Sequence, residues 1–350
     1  MEHKTRIKGN VHYVGVNDRN KHRFEGMWPL PYGVSYNSYL FDDEMVALVD
    51  TVDICYFEVY LRKIKQVIGE RPINYLIINH MEPDHSGSIR LIKQHYPEII
   101  IVGNKQTFGM IEGFYGVTGE QYLVKEGDFL ALGHHKLRFY MTPMVHWPET
   151  MMTFDETDGV LFSGDGFGCF GTVDGGFLDT RINVDKYWGE MVRYYSNIVG
   201  KYGSPVQKAL QKLGGLPISA ICSTHGPVWT ENIAKVVGIY DRLSRYDADE
   251  GVVIAYGSMY GNTEQMAEAI AEELSAQGVK NIVMHNVTKS HPSYIIADIF
   301  RYKGLIIGSP TYSNQIFPEV EALLSKILLR EVKGRYLGYF GSFAWAGAAV

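Results

Sequence analysis

The chain has 350 residues, 46% hydrophobic and 21% charged, with a formal net charge of −6 and a pI near 6.1, the profile of an ordinary globular protein of two domains. That balance gives no support for nucleic-acid binding or for docking on an anionic membrane, and no apolar run approaches the roughly 20 residues of a membrane helix. Three scattered cysteines, Cys55, Cys169 and Cys222, form neither a disulfide framework nor a rubredoxin-type iron site.

The first six residues are polar and lack the apolar core of a signal peptide, so a cytoplasmic location is expected. Residues 1 to about 245 carry short strand-like runs with a few helical stretches between them. Residues 46–50 read as a strand, 55–68 as a helix, and 75–78 as a buried strand of a sheet covered on both faces. Further strands are expected at 98–102, 159–162 and 218–222, with a helix over 205–213. Beyond a charged polar stretch at 241–251 the rhythm changes. Strands at 252–256, 282–285, 304–309 and 337–343 alternate with helical patterns at 263–276, 293–302 and 318–329. Regular alternation of this kind implies a doubly wound parallel sheet. The expected domains are 1–248 and 249–350.

The run Asn79-His80-Met81-Glu82-Pro83-Asp84-His85 follows the buried strand directly. It packs two imidazoles and two carboxylates into six positions where a strand gives way to a loop, which is how a scaffold fixes ligands before a metal arrives. Nitrogen and hard oxygen donors without thiolate suit iron, manganese or zinc. Three further positions share this local logic. His146 follows the apolar run 140–145, Asp165 ends 160–164, and His225 ends 221–224 and precedes Gly226. Each is a possible ligand past an apolar run, and an open cleft along the strand ends of an α/β layer would gather them.

The order of these elements resembles the metallo-β-lactamase superfamily, in which a His-x-[His/Glu]-x-Asp-His run is followed by a His, an Asp and a His. Zinc hydrolases of that fold usually carry a second histidine where this chain has Glu82. A carboxylate there hardens the site and favours iron that cycles between two charges. At this point the chain resembles the flavodiiron proteins, which are oxygen or nitric oxide reductases. The stretches His146-Trp147-Pro148-Glu149-Thr150-Met151, Trp28-Pro29 and Tyr36-Asn37-Ser38-Tyr39-Leu40 resemble that family's too. The resemblance implies an N-terminal αββα sandwich with a diiron centre. It assigns one iron to His80, Glu82 and His146 and the second to Asp84, His225 and His85, with Asp165 bridging. Tyr194 and Tyr195 lie where the family can place a tyrosine near bound substrate, or equally are packing residues on a helix face.

A second signal is independent of the first. Residues 252–256 lead into Gly257-Ser258-Met259-Tyr260-Gly261-Asn262-Thr263 and then an amphipathic helix. A strand, a hydroxyl- and glycine-rich loop and a helix N-terminus form an anion cradle. Neither a P-loop nor a dinucleotide fingerprint is present. The loop resembles the flavodoxin pattern, with Tyr260 where flavodoxins often have Thr, and this implies FMN. Two more loops follow buried strands: Pro310, Thr311, Tyr312 and Asn314 lie in one, and Ser342, Phe343, Ala344, Trp345 and Gly347 in the other. In such a sheet these loops meet at the switch point where the flavin lies, and Trp345 is the candidate for stacking on it. A flavodoxin-like domain normally runs to about 150 residues; here a last strand and helix are missing, so the sequence reads as a C-terminally incomplete fragment of a longer chain.

Together the two signals imply a reductase in which FMN passes electrons to two irons that reduce O2 to water or NO to N2O. The family resemblance implies a head-to-tail homodimer that sets one subunit's FMN against the other's irons. It also implies a separate electron donor, either a rubredoxin-like protein or an F420-type reductant. The alternatives are a zinc hydrolase of the same fold, or an electron carrier whose metal site is structural.

Overall fold

The computed structural model describes residues 5–345 and 347–349; residues 1–4, part of the polar start noted above, Ala346 and Val350 lie outside them. The chain packs as two units, Met1–Met191 with Ser204–Tyr240, and Val192–Gly203 with Asp241–Val350.

In the first unit a seven-stranded sheet faces a five-stranded one. Strand Tyr75–Ile77 lies in the first sheet, with Ala47–Val49 on one side and Ile100–Gly103 on the other, both parallel to it. The second sheet runs Phe129–Ala131, Lys136–Met141, Met151–Asp155, Val160–Gly164 and Ala220–Ser223. Its pairs are antiparallel except the last, which is parallel. Tyr39, Phe41, Val49 and Ile77 of the first sheet share one buried cluster with Phe139, Met151, Phe162 and Cys222 of the second. Each fully buried side chain of this size contributes roughly 1.5–3 kcal/mol, so the opposed faces hold the sheets together.

The helices follow their sequence patterns. Phe57–Ile68 buries Phe57, Tyr60, Leu61, Ile64 and Ile68, an apolar stripe at helical spacing, and stops at Gly69 with φ of 63°. Asn104 caps Lys105–Tyr115 by accepting the N–H groups of Gln106 and Thr107.

The second unit holds four parallel strands in the order Ile282–Asn286, Asp249–Tyr256, Tyr302–Tyr312 and Tyr336–Ser342. Helices Asn262–Ala276, Pro292–Arg301 and Pro318–Leu329 connect them. This is the doubly wound arrangement expected, and the three stretches singled out lie at the carboxyl ends of its strands. Pro310, Thr311 and Tyr312, however, continue strand Tyr302–Tyr312, which turns back at 313–314 to pair with Gln315–Ile316, and Ser342 closes strand Tyr336–Ser342.

Two local expectations change. The polar stretch 241–251 is mostly structured: helix Ile233–Ser244 enters it and strand Asp249–Tyr256 begins inside it. Val236, Tyr240 and Leu243 are buried at helical spacing, a pattern that the surrounding charges mask. The strand before His146 ends at Met141, so His146 sits in a turn and not directly past a strand.

Candidate functional site

The expected ligands come from both sheets. The loop after Tyr75–Ile77 carries His80 and Glu82, and Asp84 and His85 lie on a short helix, Pro83–Ser86, with proline at its start. His146, Asp165 and His225 follow strands of the second sheet. Backbone bonds knit these edges together: Met151 N–H donates to Asn79 O at 3.0 Å, Thr224 N–H to Gly164 O at 2.9 Å, and Asn37 N–H to Thr224 O at 2.8 Å.

The seven side chains form two groups of donor atoms. One is His80, Glu82, His146 and Asp165; the other is Asp84, His85 and His225, and all seven residues are buried. Asp165 faces both. Its Oδ2 lies 3.0 Å from Nε2 of His146 and 3.5 Å from Nε2 of His80. Its Oδ1 lies 3.0 Å from Nε2 of His85. Nε2 of His225 is 3.3 Å from Oδ2 of Asp84, and Nε2 of His146 is 3.1 Å from Oε2 of Glu82.

The donor set fits a pair of cations. Nε2 of His80 and both carboxylate oxygens of Asp84 are buried without a hydrogen bond, a state that costs folding free energy unless another group satisfies them. The charges point the same way. Burial opposes a proton on His85, but Asp84 and Asp165 outweigh it and lift its pKa to about 9. Burial likewise opposes a charge on His146, and its bonds to Asp165 and Glu82 push it up to about 9. Burial raises the Glu82 carboxyl, yet the two neighbouring imidazoles hold it well below the usual carboxylate range. So much negative charge out of water attracts protons or metal ions.

Several positioning residues are not apparent in the sequence. Glu149 Oε1 lies 2.8 Å from Nδ1 of His80 and accepts Met81 N–H at 2.9 Å. Asp50 accepts the Asn79 N–H at 2.8 Å; burial pushes its carboxyl up to about 6 against the pull of His85 and Asn79. Ser35 O sits 2.7 Å from Nδ1 of His225, and Thr224 donates to Oδ1 of Asp165. These contacts leave the opposite ring nitrogen of His80 and of His225 facing the cluster. Glu149 stood within a stretch already quoted, but nothing local marks it as the partner of a residue 69 positions away.

Glu82 and Asp84 border a cavity of about 630 Å3, whose wall includes Phe24, Ile54, Phe114 and Tyr115. Tyr194 and Tyr195 are buried, and the Tyr195 ring packs against Phe300 with centroids 6.2 Å apart.

In the second unit, Ser258, Met259 and Tyr260 occupy the loop after Asp249–Tyr256. Gly261, with φ of 90°, caps helix Asn262–Ala276, which opens with Asn262 and Thr263. Ser258 Oγ accepts the Gly261 N–H at 3.1 Å. Thr263 and Ser342 hydroxyls meet at 2.9 Å, joining this loop to the one with Phe343, Ala344, Trp345 and Gly347. Ala348 N–H reaches Thr311 Oγ1 at 3.2 Å, which draws in the strand end with Pro310 and Tyr312 and the turn with Asn314. The cradle is therefore a helix N-terminus with exposed aromatics around it, Tyr260, Tyr312, Phe343 and Trp345 among them. Its chemistry fits a phosphate with an attached planar ring.

Residues 34–226 match the family model described as ODP family beta lactamase, and residues 254–349 match the flavodoxin model. The chain is 32% identical to the anaerobic nitric oxide reductase flavorubredoxin of Vibrio vulnificus, an alignment covering 98% of this chain and 71% of that protein. Among solved structures, the rubredoxin oxygen:oxidoreductase of Desulfovibrio gigas superposes with a TM-score of 0.94 at 32% identity, covering 98% of this chain and 86% of that one. The flavodiiron protein of Giardia intestinalis gives 0.93 at 28% identity, covering 97% and 83%.

Proposed function

The chain belongs to the flavodiiron protein family, and from that premise we propose that His80, Glu82 and His146 hold one iron and Asp84, His85 and His225 the second, with Asp165 shared between them. The protein is an oxidoreductase that reduces NO or O2 with a diiron centre and FMN. The observation that carries the ligand assignment is Asp165, whose two oxygens face different donor groups. When bound, the irons supply two electrons and the flavin two more, which matches the four that O2 requires.

The chain's own residues do the positioning. Glu149 holds Nδ1 of His80 and Ser35 holds Nδ1 of His225, so each ring presents Nε2 to the cluster. Asp50 fixes the backbone at Asn79 from which His80 and Glu82 project. Burial of all seven donors excludes bulk water from the side away from the cavity. The hydrolase and carrier alternatives are not favoured, because the relatives are reductases and Glu82 sits among the donors.

We assign the cradle residues Ser258 to Thr263 to the FMN phosphate, and Pro310, Thr311, Tyr312, Asn314, Ser342, Phe343, Ala344, Trp345 and Gly347 to its ring. We propose 248/249 as the functional boundary, a reading that the start of strand Asp249–Tyr256 supports. The assembly is a head-to-tail homodimer in which the cavity beside Glu82 and Asp84 takes the flavin edge of the second copy. Its size supports this, since a diatomic gas needs only about the 30 Å3 of a water molecule. A separate donor, a rubredoxin-like protein or an F420-type reductant, supplies the electrons. No helix among the described residues is long and apolar enough to cross a membrane, and we place the protein in the cytoplasm.

The test is elemental analysis and the visible spectrum of the purified protein, followed by NO and O2 consumption with a chemical reductant. Two irons and one FMN per chain with consumption of either gas support the reading. Two zincs without flavin overturn it.

A further inference from the structure

Two phenols link the metal centre to the surface of the first unit. Tyr36 is fully buried, and its ring meets that of His225 edge-on with centroids 6.0 Å apart. Beyond it lies the ring of Tyr56, 6.2 Å away and partly exposed. Both phenols flank one carboxylate. The Tyr36 hydroxyl lies 3.5 Å from Oδ2 of Asp18, and burial together with the same carboxylate pushes the Tyr56 phenol above its ordinary pKa. Lys21 donates to the Tyr36 oxygen at 3.0 Å and pairs with Asp53 at 3.3 Å. Phe24 also packs on His225, at 5.2 Å, but has no hydroxyl proton to release.

We propose that Tyr36 and Tyr56 form a redox relay that carries oxidising equivalents from His225 to the surface. The proposal rests on the reading of His225 as an iron ligand. Reduction of O2 consumes four electrons, and when the flavin is already oxidised the centre can give only two. Two oxidising equivalents then remain beside four buried imidazoles.

The relay removes them one at a time. Tyr36 gives an electron through His225 and its phenolic proton to Asp18, leaving a neutral phenoxyl that keeps the hydrogen bond from Lys21. Tyr56 then gives an electron to Tyr36. Asp18 returns its proton to the Tyr36 oxygen and takes the one released by Tyr56. At the surface a soluble thiol gives an electron to the Tyr56 phenoxyl and its own proton to solvent. Asp18 returns its proton to the Tyr56 oxygen and is again a free carboxylate for the second pass. Two passes convert two thiols to one disulfide and restore both phenols.

Neighbouring aromatic rings with one carboxylate beside both phenols are the geometry such hopping needs. Without the relay, the ligand imidazoles are the next groups to be oxidised.

The test loads the full chain with two ferrous ions in anaerobic buffer, leaves its FMN oxidised, and adds one equivalent of O2 before rapid freezing. Electron paramagnetic resonance reads the radical, and peptide mass spectrometry reads oxygen addition at His225. The expected result is a phenoxyl signal in the wild type, its loss in Tyr36→Phe with oxidation of His225, and a longer-lived signal in Tyr56→Phe. Asp18→Asn keeps both rings and should lower the radical yield, which decides the matter if Tyr36→Phe does not fold. Iron bound without any phenoxyl signal overturns the relay and leaves the ligand assignment standing. So does a signal unchanged in Tyr36→Phe, or an indole radical from Trp147, which packs on His80 at 5.3 Å. A wild type that binds no iron overturns the ligand assignment and the relay with it.

Discussion

Oε1 of Glu149 stands 2.8 Å from Nδ1 of His80 and accepts the Met81 N–H as well, so one carboxylate orients a ligand ring and anchors the loop that carries it. Glu149 is fully buried, and burial works against its charge while His80 and the Met81 amide hold its pKa down. Glu149→Ala should weaken iron binding by about 10–100-fold, the usual cost of losing a carboxylate behind a ligating histidine. Glu149→Gln keeps one acceptor oxygen and should lose less. Competition against a calibrated chelator measures both, and an unchanged affinity in Glu149→Ala would remove the orienting role.

Asp165 should be the most costly of the seven donors to replace. Its oxygens face separate groups, so Asp165→Ala withdraws a donor from each. Iron content should fall below one per chain, with an affinity loss above the roughly 100-fold limit expected at Glu149. His85→Ala withdraws a donor from one group only, so it should cost less iron than Asp165→Ala. Iron analysis after gel filtration distinguishes the two, and equal losses in both variants would contradict the shared position of Asp165.

Gly261 sets the entry to the flavin cradle. Its φ of 90° is left-handed, and a Cβ there would meet nothing within 4 Å, so the cost of Gly261→Ala is backbone strain without a clash. Strain of about 1–2 kcal/mol corresponds to roughly a 5–30-fold loss in FMN affinity if it falls on the bound state. Thr263→Val, which removes the bond to Ser342, should cost about 1 kcal/mol. Quenching of FMN fluorescence on titration reads both.

His135 predicts a pH dependence of stability away from the site. It is buried with Nδ1 3.0 Å from Oδ2 of Asp155, while its backbone N–H donates to Asp43. Burial opposes its charge, but Asp155, Asp43 and Asp158 outweigh burial and raise its pKa above the ordinary value of 6.5. A raised folded-state pKa means the stabilisation is fully present below the unfolded value and is lost as pH rises through the folded one. The wild type should therefore lose stability on moving from about pH 5.5 to alkaline conditions, and His135→Asn should lose less over the same range. Urea unfolding at several pH values gives the comparison, and parallel profiles would exclude His135 as the source.

The seven donors that the structure gathers were legible in the sequence because each stands beside a strand end or a turn, a local pattern. The flavin cradle was legible for the same reason, through Ser258, Gly261 and Thr263 after an apolar run. What escaped is non-local. The Asp50 carboxylate reaches the backbone N–H of Asn79 across 29 positions, and the Ser35 backbone carbonyl reaches His225 across 190, each using on one side a backbone group that every residue possesses. The helix Pro83–Ser86 also escaped, since one turn is too short for any periodicity. Helix Ile233–Ser244 was hidden by polar neighbours whose composition resembled a linker.

The loop after Tyr75–Ile77 gives donors to both groups, and the second sheet gives donors to both as well. The centre thus acts as a rivet through two plates, since neither sheet can slide without disturbing both ions. Seating the first ion fixes the sheets for the second, so loading should be cooperative and half-filled molecules scarce. Starvation for iron would then divide the population into filled and vacant copies, with few partly reduced bystanders able to release damaging oxygen species.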